Sequence, residues 1–248
     1  MKKIIFLGLV SFLLATIWQL PLSIAKPYVE KMVNTLKLDK VSGTVWQGKV
    51  QHFSIQNTNL GKVNWNVQPL QSILSLSLKS SFKIKSPDLS AQGIVAITPT
   101  KTLILNNTVF DLDANYINTL QNKTVLAGDI RGSIKYAKLD QQRNLPEVDA
   151  LINWQGGAMQ LPIKLEPGDY HAVITPESDK LNIKLTSSEA PLELNGNIVL
   201  NKEWQYDANI TAKAQKPGLR AMLNIAGKAQ NDGSALIKQK GDLKPFIK

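Results

Sequence analysis

The chain has 248 residues, a formal net charge of +10 at pH 7, 43% hydrophobic residues and no cysteine. Without cysteine there are no disulfides and no thiolate metal sites, so stability must come from burial and backbone hydrogen bonding. The basic residues are scattered, with no run of five or more like charges; this indicates a solvated basic surface and argues against nucleic acid as a partner.

Met1-Lys2-Lys3 precede Ile4–Ala25, IIFLGLVSFLLATIWQLPLSIA, a stretch of 22 residues that carries no charge. As a helix it would extend about 33 Å, enough for the roughly 30 Å hydrocarbon core of a bilayer. Lys2 and Lys3 at its head place residues 1–3 in the cytoplasm and send residues 26–248 across the membrane. Ser23-Ile24-Ala25 also offers a small-x-small site for a signal peptidase, and either outcome exports the rest of the chain. Trp18 and Tyr28 bracket the far end as an interfacial aromatic belt does, which favours retention of 4–25 as a transmembrane signal anchor.

Residues 26–40 predict a juxtamembrane amphipathic connector, with Val29, Met32, Val33 and Leu36 at helical spacing. From 41 to 248 the apolar period becomes two. Leu74, Leu76, Leu78, Ser80, Phe82 and Ile84 alternate with Ser75, Ser77, Lys79, Ser81, Lys83 and Lys85, predicting one half-buried strand over 74–85. The same alternation marks Leu89 to Ile97, Ile130 to Tyr136, Leu181 to Leu185, Leu192 to Leu200, Ala208 to Ala214, and Leu219, Ala221, Leu223, Ile225. Turn signals punctuate the runs at Ser86-Pro87-Asp88, Thr98-Pro99-Thr100, Glu166-Pro167-Gly168-Asp169, Pro176 to Asp179, Lys216-Pro217-Gly218 and Asn231-Asp232-Gly233. The last favours positive φ and a tight hairpin between Ala229 and Ala235. Asp140 to Asn144 interrupts the pattern as a candidate seam at 140–144.

The expected fold is therefore mainly β: an antiparallel, curved sheet behind one N-terminal transmembrane helix. Strand glycines at Gly61, Gly93, Gly128 and Gly196 mark bends or bulges in it. A closed barrel, a β-sandwich and an open half-pipe all bury one face of such a sheet, and the pattern is compatible with each.

Catalytic chemistry finds little support. There is no nucleophile elbow, no phosphate loop and no zinc-protease signature. Asp111 and Asp113 would share one strand face, as an acid–base pair requires, but read better as a polar edge entering a turn. Gly156-Gly157 reads as a bend. His52 and His171 lack ligand spacing, so no metal, no cofactor and no enzymatic activity are expected.

One cluster is more specific: Ser42-Gly43-Thr44-Val45-Trp46-Gln47-Gly48, followed by Trp65 and, four residues on, Pro69. With Gly227 to Gly233, a Gly-x-x-x-x-Asp-Gly hairpin, it resembles the N component of the bacterial type II secretion system (general secretion pathway N component). The resemblance covers the anchor and these islands. It implies a bitopic inner-membrane protein with a periplasmic domain, other secretion subunits as partners, and participation in export of folded proteins across the outer membrane without an assigned catalytic activity.

Ser42, Gly43, Trp46, Gln47, Gly48, Trp65 and Pro69 are thus motif residues with a structural or interaction role. Trp46 offers a recognition surface, while core packing is the stronger reading for both tryptophans, because large aromatics dominate ordinary cores. A reading of a different class makes the domain a lipid-handling module, in which Leu76, Leu78 and Phe82 line an apolar groove for acyl chains. Carbohydrate binding through exposed tryptophans is weaker, since Trp18 already belongs to the anchor.

Overall fold

The computed structural model describes residues 8, 9, 12, 15–56, 58–120, 124–142, 144–161 and 164–244. Fourteen strands are described, and their pairings are antiparallel, as the alternation predicts. The chain forms two compact units, Met1–Gln92 and Gly93–Lys248. Of the expected transmembrane segment Ile4–Ala25, residues 4–7, 10, 11, 13 and 14 lie outside the described residues, and its last four, Leu22 to Ala25, belong to a helix that runs on to Met32. Among those described, no helix is long and apolar enough to cross a membrane.

The first unit contains α1 (Leu22–Met32), β1 (Leu36–Gly43), β2 (Gln47–Ile55), β3 (Thr58–Val67), α2 (Pro69–Leu74) and β4 (Leu78–Lys85); β5 (Leu89–Ile97) carries the boundary between units. β1 to β4 pair in chain order. Their core is small: Leu22, Leu38 and Val50 are buried, with Val29, Phe53 and Trp65 packed around them. Leu22 and Val29 come from α1, so the helix lies against the apolar face of the strands. A polar contact fixes it there, because the Leu38 N–H donates to Glu30 Oε1 at 2.7 Å. Of the predicted connector stripe, Val29 packs inward, Met32 is 86% exposed, and Leu36 already belongs to β1.

Two predicted strands are corrected. The run 74–85 is a strand only from Leu78; before it stands α2, with Pro69 in its first turn, where the missing N–H costs nothing. Leu76 sits at φ 48°, outside extended geometry. The run from Leu219 to Ile225 is α4 (Pro217–Ala226), again with proline in the first turn. Leu219, Met222 and Leu223 fit helical spacing as well as Leu219, Ala221 and Leu223 fit a strand, and the proline decides between them. The turn signal at Glu166 to Asp169 also lies within a strand, at an irregularity where Gly157 pairs with Gly168.

The second unit continues with β6 (Leu103–Asp113), α3 (Ala114–Leu120), β7 (Val125–Leu139), β8 (Glu147–Leu161), β9 (Leu165–Glu177), β10 (Lys180–Ser188), β11 (Leu192–Asn201), β12 (Gln205–Ala214), α4, β13 (Lys228–Ala229) and β14 (Ala235–Asp242). From β6 to β12 the strands pair in chain order, and β14 inserts between β12 and β13. β6 and β13, the ends of this series, do not pair with each other, so this sheet is open. Its extensive strand contacts run between neighbours, as in a single layer and unlike a sandwich.

Register lines up one face. Phe110, Gly132, Ile152, Ala172, Leu185, Gly196, Ile210 and Ile237 stand opposite one another in succession across eight strands, with no polar residue in the row. The row two residues away is nearly as apolar: Ile134, Ala150, Ile174, Ile183, Ile198 and Ala208. Most of the large side chains here are half-buried, and the fully buried positions are mostly alanines such as Ala150 and Ala208. The row between them belongs to the other face and is mixed: Lys184, Asn197, Asn209 and Lys238 make it polar from β10 onward, while Val109, Leu151 and Val173 stand on it exposed.

The terminal hairpin forms as its sequence predicts. Gly233 takes φ 81°, and Ala229 pairs with Ala235. The Gln230 N–H donates to the Ser234 carbonyl at 2.8 Å. Asp232 Oδ1 accepts from both the N–H of Ser234 (3.0 Å) and its hydroxyl (2.6 Å), and the hydroxyl bond in particular holds the Asp232 carboxyl below the usual carboxylate range. A depressed folded pKa stabilises above the unfolded value, and that stabilisation is lost as pH falls through the folded one. Amide protection in Ala235–Asp242 is therefore expected to fall on acidification below the normal carboxylate range. Asp232→Ala should lower protection at neutral pH and abolish this acid dependence, as hydrogen exchange would show.

Candidate functional site

The family-like motif folds as the turn between β1 and β2. Gly43 adopts φ 86°, and a Cβ there would lie 2.3 Å from the Gln47 carbonyl oxygen, so the position demands glycine. Thr44 closes the turn twice: its N–H donates to the Gln47 carbonyl at 2.9 Å, and its hydroxyl accepts from the Gln47 N–H at 3.1 Å.

The two tryptophans lock this turn from opposite sides. Trp65, on β3, pairs directly with Gly48, and its ring lies over that residue so closely that a Cβ on Gly48 would fall 2.2 Å from Cζ2. Trp65 Nε1 donates to the Val45 carbonyl at 2.9 Å, which fixes the ring. Trp46 instead reaches the N-terminal segment: Nε1 donates to the Ile17 carbonyl at 2.9 Å, and its ring stacks on Trp18 with centroids 5.8 Å apart. The Val45 N–H donates to the Leu20 carbonyl at 3.1 Å, and Pro21 bridges Thr44. Both indole donors are therefore used within the unit, and the motif acts as a clasp between the first hairpin and the chain at 17–21.

On the far side of Trp65 the surface opens into a depression of about 670 Å³. Ser42, Gly43, Gln47, Gly48 and Trp65 line it, and so does Phe82, which stands opposite Trp65 on β4. Lys49, Asn64 and Lys83 line it as well. Four sequence-predicted residues lie elsewhere: Trp46 is in the clasp, Pro69 opens α2, Leu76 is in the turn after it, and Leu78 is the first residue of β4. Ser42, Lys49, Asn64 and Lys83 form one cross-strand row and Gly43, Gly48, Trp65 and Phe82 the next, so by alternation the polar side chains face away from the Trp65 and Phe82 rings, and the depression on their side is polar. Thr44 and the Trp18 stack were not picked out from sequence. The sequence signals for them were that Thr44 lies inside the motif and that Trp18 reads as a membrane-interface aromatic, neither of which names the partner.

The other candidates fall apart geometrically. Asp111 ion-pairs with Arg131 at 3.1 Å, while Asp113 Oδ1 accepts from the Asn115 N–H at 2.8 Å, so the two carboxylates serve different partners. His171 lies between Asn153 (Nδ1 to Oδ1, 2.7 Å) and Ser188 (Nε2 to Oγ, 2.9 Å) on the sheet face opposite the apolar row.

Comparison with known proteins points one way. The family model described as type II secretion system (T2SS), protein N, matches residues 34–238, a span that includes the Ser42 to Gly48 motif and the Gly227 to Gly233 turn. A curated relative, Type II secretion system protein N of Pectobacterium carotovorum subsp. carotovorum, is 22% identical over 212 residues, covering 82% of this chain and 83% of the relative. No solved structure matches.

Because the Trp65 ring is pinned by Val45, it cannot swing away from an added methyl group. Gly48→Ala is expected to cost about 1–3 kcal/mol through overpacking. In a Trp65→Leu background the same change should cost much less, a coupling that a double-mutant cycle in urea would measure.

Proposed function

Since the chain belongs to the family of type II secretion system protein N, we propose that it is an inner-membrane-anchored periplasmic component of that machinery, aiding export of folded proteins by contact with other subunits. The anchor lies in the uncharged stretch that begins at Ile4, with Lys2 and Lys3 kept in the cytoplasm, and it ends before Leu22, which is buried against Leu38 and Val50. The observation that carries the contact is the outer edge of β14. β13 covers only Ala235 and Leu236, and among the described residues no strand pairs with that side from Ile237 to Asp242. A free edge of six residues is a template for strand addition by a partner chain. Lys238 and Lys240 lie on this strand and discourage indiscriminate pairing.

The eight-strand apolar row favours a second reading, in which the open sheet handles lipid. At about 4.8 Å per strand the row runs about 34 Å, an unbroken apolar track that could shelter an acyl chain. Leu78 and Phe82 of the first unit belong to the same proposal as apolar residues on β4, with Leu76 just before the strand.

Photo-reactive residues placed in cells at Lys238 and Lys240, and separately at Leu185 and Ile198, distinguish the readings. Adducts from 238 and 240 to another secretion subunit are expected. Their absence, together with lipid adducts at 185 and 198, would replace the contact reading with the lipid one.

A further inference from the structure

The first unit exposes a cluster of large apolar side chains that its own core does not use. Leu70, Ile73 and Leu74 stand at i, i+3 and i+4 on α2, and Leu76 follows in the turn; all four are 71–86% exposed. A stripe of this kind on a helix ordinarily faces a core. Here the connection is held with the stripe outward. The Ser72 hydroxyl donates to the Gln68 carbonyl at 2.8 Å and accepts from the Lys79 N–H at 2.9 Å, and the Ser77 N–H donates to the Ser72 carbonyl at 3.1 Å.

Two observations identify what covers the cluster. The first is position. Val67, where β3 leads into α2, donates its N–H to the Trp46 carbonyl at 2.7 Å, and the Trp46 indole stacks on Trp18 within the uncharged stretch Ile4–Ala25. The apolar cluster and the anchor thus meet at the same end of the β1 to β4 strands. The second is charge: residues 26–92 carry nine lysines against Glu30, Asp39 and Asp88, and Lys79 lies directly behind the cluster.

We propose that α2 and the turn after it insert into the headgroup boundary of the anionic bilayer that the anchor enters, as a second membrane contact. Apolar residues backed by lysine suit that boundary, where acyl chains and anionic headgroups meet. The inference rests on the membrane anchor proposed above. With two points of attachment the strands of this unit hold a fixed inclination to the membrane, where the anchor alone would leave them to swivel.

The cysteine-free chain permits a direct test. Leu70→Cys, Leu74→Cys, Phe12→Cys and Lys37→Cys, each made singly in the full chain, are labelled with an environment-sensitive fluorophore. All four positions are exposed, so folding is preserved. The labelled protein is reconstituted into phosphatidylethanolamine–phosphatidylglycerol vesicles containing lipids with a quencher at shallow or deep positions. Labels at 70 and 74 are expected to lose emission with the shallow quencher, that at 12 with the deep one, and that at 37, at the far end of β1, with neither. Quenching at 12, with 70 and 74 behaving like 37, would overturn the inference and leave the anchor standing. No quenching at 12 would overturn the anchor and the inference with it. Labels at 70 and 74 shielded from aqueous iodide yet untouched by either lipid quencher would mean a protein partner, and would also overturn it.

Discussion

An aromatic ring laid on a cross-strand glycine recurs through both units. Trp65 covers Gly48, Phe110 covers Gly132, and Tyr206 covers Gly241, each directly opposite its partner in the register. In the second unit, where the sheet is a single layer, burial must be found along the sheet from neighbouring strands, and in the first unit the ring over glycine adds to what the α1 helix covers. A glycine leaves the space into which a large ring can lie flat, and the ring in turn shields backbone that glycine leaves bare. Each such pair ties two adjacent strands to one register, since a slip of one residue would send the ring to the opposite face.

This dependence explains what the sequence revealed and what it hid. The strands of the second unit were legible because alternation is local: Leu181, Ile183 and Leu185 declare a face without knowledge of their neighbours. The bulges at Gly61 and Gly128, both at positive φ, were signalled by glycines inside apolar runs. The pairing of Gly48 with Trp65 was not legible, although both were singled out, because it joins residues 17 apart through a register that neither encodes alone. Leu74 to Lys85 and Leu219 to Ile225 were misread for a related reason. In short apolar runs two periods fit equally, and the deciding proline stood outside the run.

The motif serves architecture before recognition. Thr44 to Trp46 grips the chain at Ile17 to Pro21 through backbone and indole donors, and α1 is held to β1 through Glu30 and the ion pair of Lys26 with Asp39 at 3.6 Å. The N-terminal segment is therefore joined to the sheet by several independent bonds as well as by the chain itself. Movement of that segment would be transmitted to the first hairpin directly.

The order of pairing in the second unit also bears on how the domain is made. From β6 to β12 every strand finds its partner in the strand just before it, so a chain delivered N-terminus first can zip each new strand onto the growing edge without waiting for distant sequence. β14 is the exception, since it must enter between β12 and the short β13 that precedes it. Assembly thus ends with a late insertion near the C-terminus, and until it occurs β12 presents its outer edge to whatever else is in the compartment.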